Sequence, residues 1–249
     1  MAGLSVRRRS RTVQSEHAIS KATSYWASHL GCSPEALFAQ PLHIVSHGAD
    51  LVDYNGVFAL FRGGAATISS PPDRVESLRH LLPSPSLTPT RFANAFSGPS
   101  FTLIGPAYIG YAEAVRSPSH SVHSLTERDA AAAGALQAAC TETEWEHGGS
   151  VVGEHPSSGV FVGNELVALA GYEVWGSSIA HISVVTHPAF RGRGFGGSAV
   201  AHLAQAALAA DLVPQYRTLQ SNHASIRIAE ALGFFHYATS VAVRLNRAA

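Results

Sequence analysis

Lysine is nearly absent from this chain: Lys21 is the only one, and the other sixteen basic side chains are arginines. Neither sign of charge is in excess, since seventeen basic groups face seventeen acidic ones. No net field draws the chain to nucleic acid or to an anionic membrane, and neither is expected as a partner. Long apolar runs are missing too, with none near the ~20 residues that cross a bilayer. Cysteine is confined to Cys32 and Cys140, too distant in sequence for a metal-spacing pair. A reduced, cytoplasmic protein is the simplest account. The start, Met1 to Arg11, carries Arg7, Arg8, Arg9 and Arg11 but lacks the apolar segment of a secretory signal. A disordered basic tail over 1–17 is expected, with an organelle transit peptide as the alternative.

Histidine, by contrast, is plentiful, and the pair His43 and His47 with Asp50 nearby has the spacing that suits zinc on a helix. The segment reads as a strand, where four residues span roughly 13 Å, too far for two ligands of one ion. No metal is expected. Charged residues make up 14% and hydrophobic ones 46%, which argues against extended disorder and for a packed core in one large or two ordinary domains.

The most informative stretch runs Val184-Val185-Thr186-His187-Pro188-Ala189-Phe190-Arg191-Gly192-Arg193-Gly194-Phe195-Gly196-Gly197. Ile182 to Thr186 is rich in β-branched residues and reads as a strand, Pro188 ends its pairing, and Val200, Leu203 and Ala207 recur at helical spacing over 198–210. Glycines 192, 194, 196 and 197 let the backbone bend and bring successive N–H groups to a ligand at the positive end of the helix. Such a turn suits phosphate, and Arg191 and Arg193 add charge-assisted donors. A Gly-x-Gly-x-x-Gly turn also reads as a dinucleotide fingerprint, but the glycine spacing here differs.

Along the rest of the chain, helices are expected over 18–30, Ser33–Phe38, Pro72 to Leu82 and Glu127–Thr141. Strands are expected at Leu42–Val45, Gly56–Phe61, Ala65–Ser69, Phe101–Ile104, Tyr108–Tyr111, Gly159–Val162, Leu166–Trp175 and Val213–Leu219, with a final strand pair from Phe234. A Ser/Pro-rich loop covers Pro83 to Thr90, and a linker is expected at Val115–Ser121. The division that follows is a tail, an N-terminal α/β domain over 18–114, and a second domain over 122–249.

The order Arg191-x-x-Gly194-x-Gly196, after a strand ending at Pro188 and before a helix, resembles the acetyl-CoA motif of the GNAT N-acetyltransferase superfamily. Asn222-His223-Ala224-Ser225-Ile226-Arg227-Ile228-Ala229-Glu230-Ala231-Leu232-Gly233-Phe234 is similar to that family's Asn-to-Gly-Phe helix. The resemblance covers about 118–249. It implies an α/β (α+β) fold with a mixed, mostly antiparallel central sheet flanked by helices, here preceded by a smaller α/β domain that could be a decayed second copy, a lid or a dimerisation surface. A homodimer stays open. The resemblance implies acetyl-CoA as acyl donor, its pantetheine on backbone near Val184 and Thr186, a backbone N–H near Val185 as oxyanion donor, and its pyrophosphate on N–H groups from Gly192 through Phe195 to Gly197. Asn222 and Ser225 would line the thioester end.

The family's tyrosine, four residues before the Gly-Phe pair, is replaced by Ala229, so the proton for the departing thiolate would come from Ser225, water or another group, or not at all. Residues 181, 183, 185 and 187 share one strand face, making His181 the first candidate base, with Glu173 its rival and an ordinary structural histidine the plain alternative. Glu142, Glu144 and Glu146 around Trp145 fall where the family forms its acceptor pocket and would attract a cationic amine, although a solvated helix end explains them equally. The expected activity is acetyl transfer to a primary amine of a small molecule in a ternary complex. Acetylation of a protein N-terminus or lysine, and non-catalytic CoA binding by a regulatory protein, are the alternatives.

Overall fold

The computed structural model describes residues 3–82 and 87–246, with side chains from Glu16 onward. Most of the expected basic tail lies outside the described side chains, and so do residues 83–86 of the Ser/Pro-rich loop. In chain order the elements are α1 (Gly3–Leu30), β1 (Leu42–Ser46), β2 (Gly56–Arg62), β3 (Ala65–Ser70), α2 (Val75–Leu81), α3 (Pro89–Ala95), β4 (Phe101–Tyr111), β5 (His123–Ser124), α4 (Ala130–Ala139) and α5 (Glu142–Gly148). There follow β6 (Ser157–Val162), β7 (Glu165–Trp175), β8 (Ile179–Thr186), α6 (Phe195–Ala209), β9 (Val213–Leu219), α7 (His223–Leu232) and β10 (Phe235–Leu245). The fold is mixed α/β, with mostly antiparallel pairing and helices on the sheet faces.

Four expectations are revised. Residues 33–38 form hydrogen-bonded turns, not a helix, and end at Phe38 with φ +64. The two strands expected at 101–111 are one, and the final pair is the single strand β10. The helix expected over 127–141 is broken after Ala139, because Thr141 and Glu144 form a reciprocal cap that starts α5 afresh.

The residues divide into two compact units that interleave in sequence. One takes residues up to Ala18, Tyr111–Arg217 and Arg227–Phe235; the other takes Ile19–Gly110, Thr218–Ile226 and His236–Ala249. This differs from a single boundary at 115–121. The reason is strand pairing: β10 is antiparallel to β2 from Thr239↔Phe61 to Arg244↔Gly56, so the end of the chain joins the sheet made by its first half.

In the unit containing 19–110 the strand order is β1-β3-β2-β10-β4. Ile44, Phe61, Ile68, Leu78, Phe92, Val241 and Val243 pack one core there, and Trp26 of α1 stacks on Phe58 with ring centroids 5.8 Å apart.

In the unit containing 111–217 the order is β9-β8-β7-β6-β5. Val200, Leu203, Ala204 and Ala207 are buried along one stripe of α6, as the 3.6-residue period requires. A second cluster joins Leu136 of α4 to Leu125, Leu166, Leu169 and Val185. β8 pairs antiparallel with β7 along its length, from Trp175↔Ile179 to Ala168↔Thr186. Its parallel pairing with β9 covers only Ile179↔Val213 to Ile182↔Tyr216. Beyond Ile182, β8 runs on without β9.

Leu136 is buried in the cluster beneath Val185, so Leu136→Ala is expected to lower the unfolding free energy by about 2–5 kcal/mol in a urea titration.

Candidate active site

The turn after β8 is assembled by local chemistry. The His187 ring nitrogen Nδ1 accepts from the Ala189 N–H at 3.1 Å, and Pro188 opens a short 3-10 turn through Phe190. Phe190 and Phe195 lie 6.2 Å apart, and the Arg193 guanidinium sits over both rings at 5.4 and 5.0 Å. Gly194, with φ +83, occupies the left-handed region just before α6 and has no side chain to cap it. Gly196 is required by close approach, since a Cβ there would stand 2.5 Å from Thr186 Oγ1. The first N–H groups of α6 are thus left without a side-chain cap at the positive end of a fifteen-residue helix.

The segment expected as a linker supports this turn. Ser198 Oγ accepts from the N–H groups of Ser119 and His120, both at 3.2 Å. His120 Nε2 lies 2.9 Å from the Arg193 carbonyl, and its ring packs on Phe195 at 4.5 Å. Nothing in the sequence pattern marks His120 for this role, because the contact spans more than seventy residues.

The peptide groups of β8 alternate. The His187 N–H donates to the Val167 carbonyl at 2.9 Å, so the odd-numbered residues of β8 face β7, and the Val213 N–H bonding to Ser178 places the even-numbered ones toward β9. Past Ile182 the groups on the freed edge belong to Val184 and Thr186. The Val185 N–H points into the ladder with Leu169, so near Val185 the freed-edge N–H groups are those of Val184 and Thr186. The Thr186 carbonyl accepts from Arg191 Nε at 3.2 Å.

One strand row links the candidate bases. Glu173, His181 and Gln215 are cross-strand neighbours on β7, β8 and β9. His181 Nδ1 lies 2.9 Å from Gln215 Oε1, and its ring stacks on Trp175 at 3.8 Å and 14°. Gln215 Nε2 donates to Tyr111 Oη at 2.6 Å, with both side chains buried. Desolvation pushes the His181 imidazole down to about 4, aided by the charge of Arg217 and opposed by the bond to Gln215 and by Glu173. Glu173 itself is exposed and accepts from Trp175 Nε1 at 3.4 Å. Sequence reading missed Gln215, Tyr111 and Trp175; strand alternation marks which residues share a face but not which strands become neighbours.

The acidic helix α5 divides its residues. Glu144 caps its own helix and binds Arg191, with Oε1 2.8 Å from Nη2. The Thr141 N–H, and after it Arg191, hold the Glu144 carboxyl below the usual range. Glu142 and Glu146 are exposed, and Trp145 is half-buried against the Leu136 cluster. Asn222 Oδ1 accepts from the Ser225 N–H at 3.1 Å and so caps α7, while Ala229 is fully buried on that helix. His47, set aside as a ligand, is bound to Ser69 Oγ at 2.7 Å and faces the Tyr54 and Gly56 carbonyls at 3.1 Å.

A model of the acetyltransferase (GNAT) family matches residues 109–234, half of the chain, and spans both the glycine turn and α7. The chain belongs to the GNAT acetyltransferase family. Its chemistry is accordingly acyl transfer, with acetyl-CoA the family's donor and an amine its acceptor. Among solved structures the chain is similar to a GNAT-family protein of Novosphingobium aromaticivorans, at 25% identity and a TM-score of 0.46, over 59% of this chain and 69% of that one. A GNAT-family acetyltransferase from Colwellia psychrerythraea is 13% identical with a TM-score of 0.47, over 66% of this chain and 63% of that one. A GCN5-related N-acetyltransferase-like protein from Streptococcus suis is 14% identical with a TM-score of 0.46, over 77% and 84%. No curated protein matches the chain by sequence.

Because the folded GNAT acetyltransferase holds His181 neutral down to about pH 4, the unfolded chain takes up that proton first as the pH falls. Stability is expected to be full above pH 6.5 and to decline from 6.5 toward 4 by on the order of 3 kcal/mol. Urea titrations across that window should show the decline, and His181→Gln should flatten it.

Proposed function

We propose that this chain is an N-acetyltransferase moving acetyl from acetyl-CoA to a primary amine of a small molecule, by direct transfer in a ternary complex. The observation that carries the reading is the parting of β8 from β9 beyond Ile182, on the strand that leads directly into the uncapped start of α6. The residues fit the donor. Gly192 faces open space where a Cβ would stand, and Gly196 keeps the helix start close to Thr186. The N–H groups from Gly192 to Gly197 would hold the pyrophosphate, and the peptide groups of Val184 and Thr186 the pantetheine amides. Bound there, acetyl-CoA would supply a thioester carbonyl open to attack.

The chain's own groups account for the rest. His181 stands one residue before the strands part, which supports it over the exposed Glu173 as the proton acceptor. A weak, neutral imidazole suffices if it takes the proton as the C–N bond forms, when the amine nitrogen becomes strongly acidic. The freed-edge N–H of Val184 takes the oxyanion role. Arg191 and Arg193 contribute positive field more than direct grip, since one is bound to Glu144 and the other lies over two phenyl rings. Ala229 offers no proton. Exposed Glu142 and Glu146 supply negative field for a cationic acceptor.

Calorimetric titration with acetyl-CoA should give saturable binding that is lost in Gly194→Trp, where the left-handed backbone disfavours a side chain and the indole would crowd the turn. Absence of binding to the native chain would end this reading. In a CoA-release assay over an amine panel, His181→Ala is expected to lower kcat by about 100-fold while KM for acetyl-CoA stays nearly unchanged. Unchanged turnover would take the histidine out of the mechanism.

A further inference from the structure

We propose that Gln215 and Tyr111 are positioning residues that hold His181 as its Nδ1–H tautomer and so keep Nε2 free to accept the substrate's proton. The proposal rests on His181 being the base, but its core is a statement about hydrogen bonding that can be read without turnover. An amide oxygen can only accept, so with Gln215 Oε1 toward the ring the 2.9 Å contact to His181 Nδ1 places the proton on Nδ1. The other end of the amide is engaged as well, since Gln215 Nε2 donates to the Tyr111 hydroxyl at 2.6 Å. Turning the amide over would present its N–H₂ to the ring and its oxygen to the phenol, and the ring would then have to carry its proton on Nε2. Burial of Gln215 and Tyr111 means that neither bond is readily traded for water, so ring tautomer and amide orientation are fixed together.

The ring's plane is set separately by Trp175, stacked at 3.8 Å. Imidazole orientation and tautomer therefore come from different elements: Trp175 from β7, Gln215 from β9 and Tyr111 from the end of β4. The charged groups that act on the ring are Glu173 on β7, which favours its protonation, and Arg217 on β9, which opposes it. Tyr111 is the further titratable group, one hydrogen bond behind Gln215.

The test is a nitrogen-15 NMR spectrum of the histidine rings of the full chain at pH 7, with His181 assigned by its loss in His181→Ala. A ring protonated on Nδ1, and losing that preference in Gln215→Met, is the expected result. A ring protonated on Nε2 in the native chain, or one unchanged in Gln215→Met, would overturn the proposal. Kinetics supply the second arm, on variants whose thermal melting remains cooperative. Gln215→Met should lower kcat by about tenfold or more with KM for acetyl-CoA unchanged. Gln215→Glu keeps an acceptor opposite Nδ1–H and adds a negative charge, so it should retain more turnover and move the acid limb of the pH–rate profile upward by about one unit or more. An unmoved acid limb in Gln215→Glu, together with native kcat in Gln215→Met, would sink the positioning role. Full turnover in His181→Ala beside an Nδ1-protonated native ring would overturn the base instead, and leave the tautomer assignment standing.

Discussion

The parting of β8 from β9 is the constraint on which the rest of this site depends. Parallel strands bond through the peptide groups of alternate residues, and here the pairing stops at Ile182↔Tyr216 while β8 remains fully paired to β7. A strand held on one side and free on the other exposes alternate N–H and C=O groups in a fixed direction. Their rigidity comes from the β7 ladder and from the packing of Val185 in the Leu136 cluster. The Thr186 carbonyl is taken by Arg191 and the Val184 carbonyl lies against Gly148, which leaves the N–H groups of Val184 and Thr186 as preorganised donors on a stiff support, the condition under which backbone dipoles can direct a ligand. The glycine turn only extends this geometry, because it begins where β8 ends.

Polarity near the site is spent in two different ways. Arg191, Glu144 and Thr141 form a partly exposed chain that ties the start of α5 to the turn, where water screens each charge and the contribution to stability is small. His181, Gln215 and Tyr111 form a sheltered chain, where a bond left unmade costs more because burial has desolvated Gln215 and Tyr111. The first arrangement can open and reclose at little cost. The second couples the protonation of the ring to the orientation of the amide behind it.

Much of the candidate site around the glycine turn was legible in the sequence. Local rules sufficed: β-branched residues before Pro188, glycines at 192, 194 and 196, and a helical apolar period from Val200 announce strand, turn and helix in that order. The same rules placed His181 and Ser183 on one face. They did not say which neighbour each β8 peptide group faces, because a side-chain period of two does not fix that. They also left Ser119 and His120 as linker, though both brace the start of α6 through Ser198.

The amino-acid sequence by itself determined the family, the turn and the kind of chemistry, since each is written in contiguous residues whose conformational preferences act locally. Tertiary structure alone decided that β10 pairs with β2, that β9 leaves β8 after Ile182, and that Gln215 and Tyr111 converge on His181. These are choices of neighbour between segments 34 to more than 100 residues apart. They are settled by which pairing buries apolar surface and satisfies backbone groups across the whole sheet, a sum that no short stretch of chain contains.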